Sequence, residues 1–239
     1  MTRISLSERM RVISSMVLPG KPLADIGTDH GLIPADLLLK GTVPFAVLTD
    51  INAGPLKQCR ANLESLGVDP GLYEIRQGDG LDPVSSGGFG TVIIAGMGGE
   101  LIADICEYTG WSLTRPEGTP IAERNVFQPR THEADLRSYL TQSEMRITDY
   151  KLARERGRIC EVFAVEPCPA GSITPDSGLV SEFLLKKGDP LLAEYVDGKV
   201  SSAKAILESL KSSSTEEAQR QRNIYSAIYK TLTDIRKNL

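Results

Sequence analysis

The sequence predicts an α/β fold in which a mostly parallel sheet carries helices on both faces. Four short apolar runs, each ending in glycine or aspartate, alternate with helical stretches over the first hundred residues. This alternation is typical of βαβ units, whose right-handed crossovers bring the loops after the strands to one edge of the sheet. The pattern changes near residue 178, where apolar residues recur at helical spacing. We therefore predict an α/β domain at 1–170 and a helical hairpin at 178–239.

The α/β domain is expected to open with an amphipathic helix over 5–17. Asn52 is expected to cap the second of the following helices, which ends at Gly67. The last two strands are expected to form an antiparallel hairpin around Arg156-Gly157-Arg158. The expected strands are 23–27, 45–50, 73–78, 91–96, 121–127, 147–154 and 159–166, and the expected helices are 31–40, 53–66, 99–108 and 131–143.

The C-terminal segment carries two apolar stripes. From Leu192 to Leu210 the apolar residues are four or three positions apart, which is close to a coiled-coil seam. Ser214 and Glu217 predict a capping box for the next helix, whose apolar stripe begins at Ile224. We therefore expect a short helix and then an α-helical hairpin that is coiled-coil-like. The polar outer face of its first helix favours self-packing with weak RNA contact, and a monomer or a weak homodimer is expected.

Composition excludes several classes of protein. No apolar run approaches the roughly 18 residues of a membrane span, and the N-terminus lacks the apolar stretch of a signal peptide. The four cysteines are scattered and only two histidines are present, so neither a disulfide framework nor a metal site is expected. These features predict a cytoplasmic protein. The net charge of −4 arises from an acidic excess in 1–110, while 111–160 and 180–239 are slightly basic.

A glycine turn after the first strand predicts a nucleotide-type site. Gly27 and Gly31 let the backbone approach a ligand closely, because no Cβ intervenes. Asp50 ends the next apolar run about 20 residues later, where a carboxylate can bind two ribose hydroxyls. Asp29 stands where a dinucleotide fingerprint has a second glycine. A carboxylate there repels a diphosphate but suits the ammonium and sulfonium groups of S-adenosyl-L-methionine, which is therefore favoured over NAD.

Two later strand ends extend this site. Asp79 can accept a hydrogen bond from the exocyclic amine of adenine, or it can form an ordinary Asp-Gly turn. Gly96, Gly98 and Gly99 give backbone that can lie against a flat ligand or a target base. The (Asp/Asn)-Pro-Pro-aromatic tetrad of many amino-methylating enzymes is absent at this place. That absence favours attack by a ring nitrogen that carries its own lone pair.

Basic residues gather in the second half of the α/β domain. They belong either to a solvated surface hairpin or to a contact with RNA phosphates. The residues concerned are Arg146, Lys151, Arg154, Arg156 and Arg158.

Together these motifs resemble the bacterial tRNA (adenine(22)-N1)-methyltransferases, a family with a Rossmann-like class I methyltransferase domain. The resemblance covers nearly the whole chain. This chain has Gly31-Leu32-Ile33-Pro34 where the family usually has Ala-Tyr-Leu-Pro, which removes an aromatic beside the cofactor pocket. It has Arg130 where the family usually has Asn, which changes a contact to the target base. The matching segments are Ile26 to His30, Asp50 to Leu56, Gly78 to Leu81, Ile94 to Gly99, Phe127 to Pro129, Arg158 to Glu161 and the C-terminal helices.

The resemblance implies methyl transfer from S-adenosyl-L-methionine to N1 of adenine 22 in a tRNA substrate. The N1-methylated product is cationic until N6 loses a proton, so a nearby carboxylate can stabilise the charge and accept the proton. Asp29 is the expected catalytic residue, although it could serve only to bind the methionine ammonium.

Two sets of binding residues are expected around this chemistry. His30 could instead cap the next helix, and Gln128 and Arg130 could be hydrogen-bonding loop residues. The expected cofactor-binding residues are Asp25, Gly27, Thr28, His30, Gly31, Asp50, Ile51, Asn52, Gly78, Asp79, Gly80, Ala95, Gly96, Met97 and Gly98. The expected substrate-binding residues are Gly99, Gln128, Pro129, Arg130, Arg154 and Arg156.

Three alternative functions stay open at this point. An NAD-linked oxidoreductase is disfavoured by the missing G-x-G-x-x-G and by Asp29. A non-catalytic S-adenosyl-L-methionine-binding regulator would dock a protein through the helical hairpin. A methyltransferase acting on another RNA base would keep the cofactor site and differ near Arg130.

Overall fold

The computed structural model describes residues 4–108, 120–169 and 176–239. The chain divides into two compact units, Met1–Asp176 and Ser177–Leu239. The predicted alternation of strands and helices is confirmed, with bounds that differ by a few residues. The elements are α1 Glu8–Ser14, β1 Leu23–Ile26, α2 Leu32–Leu39, β2 Ala46–Asp50, α3 Ala53–Ser65, β3 Tyr73–Gln77, β4 Phe89–Met97, α4 Gly99–Tyr108, β5 Ala122–Pro129, α5 Glu133–Gln142, β6 Met145–Glu155, β7 Arg158–Pro167, α6 Glu182–Lys187, α7 Leu192–Ser209 and α8 Glu216–Lys237.

The strands described in the first unit form one sheet of order β3-β2-β1-β4-β5-β7-β6. β1 is an inner strand, since Leu23 pairs in parallel with Ala46 of β2 and with Thr91 of β4. β7 runs antiparallel to both β5 and β6. The strand order reverses between β1 and β4, and ligands of such sheets bind beyond the carboxyl ends of the strands at that point. The predicted Rossmann-like fold is therefore confirmed.

Helices cover the two faces in two groups. α2 contacts α1 and α3, while α4 contacts α5. The crossovers after β1 and β2 lead one way along the sheet and the crossover after β4 leads the other way, so right-handed connections place the two groups on opposite faces. The core beneath α1 and α2 includes Ile13, Leu23, Leu37 and Leu48, all at most 3% exposed.

A buried ionic cluster lies between α5 and the last two strands. The Arg137 Nη1 atom is 2.6 Å from the Glu161 carboxylate, and neither side chain is exposed. The Tyr150 hydroxyl donates to the same carboxylate and also accepts from Arg137 at 3.0 Å. Charges removed from water are tolerated only when they are paired and hydrogen-bonded in this way.

The first helix is shorter than the sequence predicts. α1 begins after Ser7, whose side chain accepts a hydrogen bond from the Met10 amide, and it ends at Ser14. Asn52 occupies the N-cap position of α3, but its side chain makes no capping bond. Its backbone amide instead donates to the Asp50 carboxylate at 2.8 Å, so the expected side-chain cap is wrong.

The predicted β6–β7 hairpin is present and turns tightly. Arg156 and Gly157 have φ values of 48° and 77°, the positive values that a two-residue hairpin turn of the type I′ class requires. Only part of the basic run lies near this tip. Arg146 is paired in register with Glu166 at the opposite end of the hairpin, so it is far along the strands from Arg156.

The second unit contains α6, α7 and α8. α7 and α8 form the predicted hairpin, in which Arg236 lies 2.7 Å from Asp197 and Arg222 donates to the Leu210 carbonyl at 2.7 Å. The N-cap of α8 is Thr215, whose side chain accepts from the Ala218 amide. The predicted Ser214–Glu217 capping box is therefore wrong, because the residue at N3 is an alanine. Ile224 is 44% exposed, outside the buried stripe. No helix among the described residues is long and apolar enough to span a membrane.

Candidate functional site

A cleft of about 820 Å³ opens in the first unit, beyond the carboxyl ends of the strands. It extends from the ends of β1 and β2, past the end of β4, to the β6–β7 tip. Its lining residues are Arg9, Met10, Asp25, Gly27, Thr28, Asp29, His30, Gly31, Leu32, Ile33, Asp50, Ala95, Gly96, Met97, Gln128, Pro129, Arg130, Glu133, Glu155, Arg156, Arg158, Ile159 and Cys160.

The glycine turn after β1 forms one wall of the cleft. Gly27 has φ of 70°, and a Cβ there would lie 2.1 Å from the terminal methyl of Met97. Gly31 has φ of 65° at the N-cap of α2, and a Cβ there would lie 2.6 Å from the Cys59 sulfur. Both positions therefore have a left-handed backbone, which favours glycine, and Gly31 is in addition packed closely against Cys59. Since Gly31 holds the N-cap position, the alternative in which His30 caps α2 is wrong.

Asp25 is the buried carboxyl group of the site. It is 8% exposed, and the Thr28 hydroxyl donates to its Oδ2 atom at 2.7 Å. Burial raises the pKa of Asp25 to about 6, although the bond from Thr28 lowers it. Burial also raises the pKa of the nearby Cys59 thiol. A desolvated carboxylate of this kind is stabilised by a cationic ligand.

Asp29 and His30 project from the same turn and are much more exposed. The side chain of Asp29 is 77% exposed, and its Oδ2 atom lies 3.2 Å from Nε2 of His30. The His30 carbonyl accepts from the Asn62 side chain at 2.9 Å, which fixes the backbone of the turn against α3. The cleft therefore contains an accessible carboxylate with an imidazole beside it.

Asp50 ends β2 and lines the cleft. Its backbone carbonyl accepts from the Gly78 amide at 3.1 Å, which continues the β2–β3 pairing beyond the strands. Ile51, the next residue, is 56% exposed. Neither Ile51 nor Asn52 lines the cleft, and both are exposed beside Asp50 at the end of the sheet.

The predicted residues after β3 lie apart from the main cleft. Asp79 and Gly80 line a smaller cavity of about 390 Å³, shared with Leu101 and Ile105 of α4. Gly78 lines neither cavity, and a Cβ there would lie 2.5 Å from the Pro83 ring. Gly78 is thus required by packing within the turn, while Asp79 and Gly80 face an adjoining space.

The glycines at the end of β4 and directly after it serve two different purposes. Ala95, Gly96 and Met97 line the cleft, and Gly96 has φ of 79° with open space where a Cβ would stand. Gly98 and Gly99 do not line it. A Cβ at Gly99 would lie 2.4 Å from the His132 carbonyl oxygen, so this glycine allows the chain after β5 to pass closely.

Gln128, Pro129 and Arg130 at the end of β5 line the far part of the cleft, as does Arg156 at the hairpin tip. Arg154 does not line it, and its backbone amide donates to the Glu8 carboxylate at 2.8 Å. Sequence reasoning did not assign several other lining residues to the site. Those from α1 and the hairpin reach the cleft only through packing between distant segments. The residues missed are Arg9, Met10, Leu32, Ile33, Glu133, Glu155, Ile159 and Cys160, and Arg158 of the basic run lines the cleft as well.

Charge is unevenly distributed along the cleft. Three carboxylates, from Asp25, Asp29 and Asp50, stand at the ends of β1 and β2. Four guanidinium groups stand around the end of β5 and the β6–β7 tip, accompanied by two glutamates. Within the described ranges, no three histidine, cysteine or acidic side chains are grouped to hold a metal ion. The four arginines are Arg9, Arg130, Arg156 and Arg158.

Comparison with known proteins agrees with this geometry. The family model for a methyltransferase domain matches residues 6–163. The chain is similar to the tRNA (adenine(22)-N(1))-methyltransferase of Bacillus subtilis, with 28% identity over 227 residues, 93% of this chain and 92% of the relative.

Solved structures show the same fold. The B. subtilis m1A22 tRNA methyltransferase TrmK matches with a TM-score of 0.82 and 25% identity, covering 98% of this chain and 100% of that chain. A Streptococcus pneumoniae protein in complex with S-adenosyl-L-methionine matches with a TM-score of 0.81 and 24% identity, covering 97% and 100%.

Proposed function

The chain belongs to the methyltransferase domain family, and we propose that it transfers a methyl group from S-adenosyl-L-methionine to N1 of adenine 22 in tRNA. The observation that carries this proposal is the cleft in which an acidic half meets an arginine-lined half. The identity of the target base rests on the similarity to the B. subtilis enzyme over nearly the whole chain.

The acidic half fits S-adenosyl-L-methionine. The buried carboxyl of Asp25 has no cationic partner among the bonds described around it, and the ammonium group of the cofactor supplies one. Asp50 lies at the end of the second strand, the position from which a carboxylate binds ribose hydroxyls in sheets of this kind. Gly96 leaves open space against bare backbone, because no atom stands within 4 Å of where its Cβ would be. When bound, the cofactor supplies a methyl group on a positively charged sulfur.

The residues around the target base have two tasks. The walls of the cleft align the attacking nitrogen with the methyl group, since transfer in line depends mainly on the relative placement of the two partners. Asp29 then stabilises the positive charge that develops on the methylated adenine and accepts the N6 proton. Its carboxylate suits this role because it is accessible within the cleft, and His30 at 3.2 Å can pass the proton on to solvent.

The arginine-lined half fits a polyanion. Arg130 and Arg156 reach the cleft from two different elements, the end of β5 and the β6–β7 tip. Within the described part of the chain, neither side chain forms a hydrogen bond or an ion pair. Unpaired guanidinium groups on the rim of a site are well suited to RNA phosphates. A tRNA substrate also supports a cytoplasmic location.

Three further features remain our proposals. The helical hairpin at 178–239 serves as a separate domain that steadies the enzyme or adds weak RNA contact. The protein acts as a monomer or a weak homodimer. No metal takes part, because a ring nitrogen needs no Lewis acid to attack a sulfonium methyl group.

The test is methyl transfer from labelled S-adenosyl-L-methionine to bulk unmodified tRNA, followed by nucleoside analysis. The proposal predicts labelled N1-methyladenosine. A label on another base would mean that the protein is a tRNA methyltransferase with a different target, and that the residues near Arg130 select that base. Cofactor binding without any transfer would contradict the proposal and favour a non-catalytic regulator.

A further inference from the structure

The Gln128 side chain is in the cleft wall, with both ends of its amide engaged inside the protein. It is only 2% exposed. Its Oε1 atom accepts from Nη1 of Arg9 at 3.0 Å, and its Nε2 atom donates to the Pro129 carbonyl at 2.7 Å. Because these two bonds occupy the amide oxygen and nitrogen, Gln128 is poorly placed to recognise a base directly.

Arg9 lines the cleft and is hydrogen-bonded to Gln128. It comes from α1, more than a hundred residues earlier in the chain, and lies between β5 and the hairpin tip. Its Nε atom is 3.8 Å from the Glu155 carboxylate, and the two side chains are 21% and 25% exposed. The hydrogen bond to Gln128 fixes one Nη1 proton and leaves the other donors of the planar guanidinium available toward the cleft.

We propose that Arg9 binds a backbone phosphate beside the target nucleotide and that Gln128 is a positioning residue that orients Arg9. This inference rests on the proposed tRNA substrate and goes beyond it, because it names the residue that fixes the RNA backbone. α1 thereby becomes part of the substrate site.

A phosphate fits Arg9 better than the adenine base does. Guanidinium carries donors only, so it cannot pair with the N6 amine, and a donor placed on N1 would block the attacking lone pair. Arginine next to the base would also repel the cationic product. A phosphate oxygen pair instead accepts two parallel hydrogen bonds from the guanidinium fork and compensates its charge.

The local charges support the same assignment. Arg156 and Arg158 line the same cleft and, among the residues described, make no side-chain ion pair. Glu155 is too far from Arg9 for a short hydrogen bond, so it attracts the guanidinium without occupying its donors. The three arginines thus surround a space that a phosphodiester can enter.

Salt-dependent tRNA binding tests the proposal. We compare Arg9→Ala, Arg9→Lys, Gln128→Leu and the double variant Arg9→Ala/Gln128→Leu with the wild type, and Arg11→Ala is the matched control because Arg11 is an exposed arginine of the same helix outside the cleft. Arg9→Ala should weaken tRNA binding about tenfold and reduce the slope of log K against log salt by about 1. Arg9→Lys should keep the slope and recover part of the affinity.

Gln128→Leu should weaken tRNA binding in the same direction, and adding it to Arg9→Ala should cost little more, because the two residues act through one contact. S-adenosyl-L-methionine binding, measured by calorimetry, should remain at the wild-type level in every variant and shows that each is folded. Arg11→Ala should behave like the wild type.

Three outcomes overturn the inference. If Arg9→Ala kept the wild-type salt dependence of tRNA binding but methylated tRNA more slowly, Arg9 would contact the base and not a phosphate. If the losses of tRNA affinity in Arg9→Ala and Gln128→Leu added fully in the double variant, Gln128 would not act through Arg9. Wild-type affinity and slope in Arg9→Ala would leave Arg9 without an RNA contact. Each of these is distinct from failure of the proposed function, which would appear as the absence of methyl transfer by the wild-type protein.

Discussion

Binding of S-adenosyl-L-methionine should weaken as the pH falls through about 6. Asp25 is buried and its pKa is raised from 3.8 to about 6, chiefly because burial disfavours the charged form. A cationic ligand favours the ionised carboxylate, so protonation and binding oppose each other. If the bound state returns the pKa of Asp25 to its ordinary value, the affinity at pH 5 is about tenfold lower than at pH 7.5, and the full coupling amounts to about 3 kcal/mol.

Calorimetric titration at several pH values, in buffers of different ionisation enthalpy, measures this coupling. At pH 6 about half a proton should be released for each cofactor bound. Thr28→Val removes the hydrogen bond that lowers the pKa of Asp25, so the midpoint should move above 6. Asp25→Asn should weaken binding and remove the pH dependence. His30→Gln, which deletes the imidazole of the same cleft, should leave the midpoint in place.

The same pKa shift has a consequence for the free protein. Because the pKa of Asp25 is higher in the folded than in the unfolded state, the unfolded chain loses its proton first as the pH rises. The contribution of Asp25 to the free energy of unfolding therefore declines between about pH 4 and pH 6 and stays low above that. If cofactor binding by Asp25→Asn still depended on pH, the assignment of this pH dependence to Asp25 would be refuted.

Three other predictions follow from single contacts. Asp50→Ala should abolish S-adenosyl-L-methionine binding in calorimetry, since it removes the proposed ribose ligand; wild-type affinity would rule that role out. Asp29→Ala should keep measurable cofactor binding but lose most of the methyl transfer, and near-normal turnover would end its catalytic role. Arg137→Met should lower the free energy of unfolding in urea by about 3–5 kcal/mol, because it removes the cation that compensates the buried Glu161 carboxylate; a loss below about 1 kcal/mol would contradict that account.

The fold and the meeting of three carboxylates in the cleft were predictable from the sequence, because both depend on local patterns. An apolar run followed by glycine marks the end of β1, and the positive φ values of Gly27 and Gly31 explain why glycine stands there. Strand order and crossover handedness then bring Asp25, Asp29 and Asp50 to one edge.

The arginine-lined half of the cleft was less predictable, because it depends on packing between distant segments. Nothing near Arg9 in the sequence indicates that it meets Gln128, 119 positions later. The buried state of the Gln128 amide is equally invisible in the sequence. The sequence predicts that Gly99 binds the substrate, but its absence of a side chain accommodates the His132 carbonyl, a contact that the sequence does not reveal.

The central claim is best tested by mapping the methylated position in a single tRNA transcript. Purified protein and S-adenosyl-L-methionine are incubated with a transcript that carries adenine 22 and with a matched transcript that carries guanine there. The account predicts N1-methyladenosine at position 22 of the first transcript and no methylation of the second. Equal methylation of both transcripts, or of neither while the cofactor binds, would contradict it.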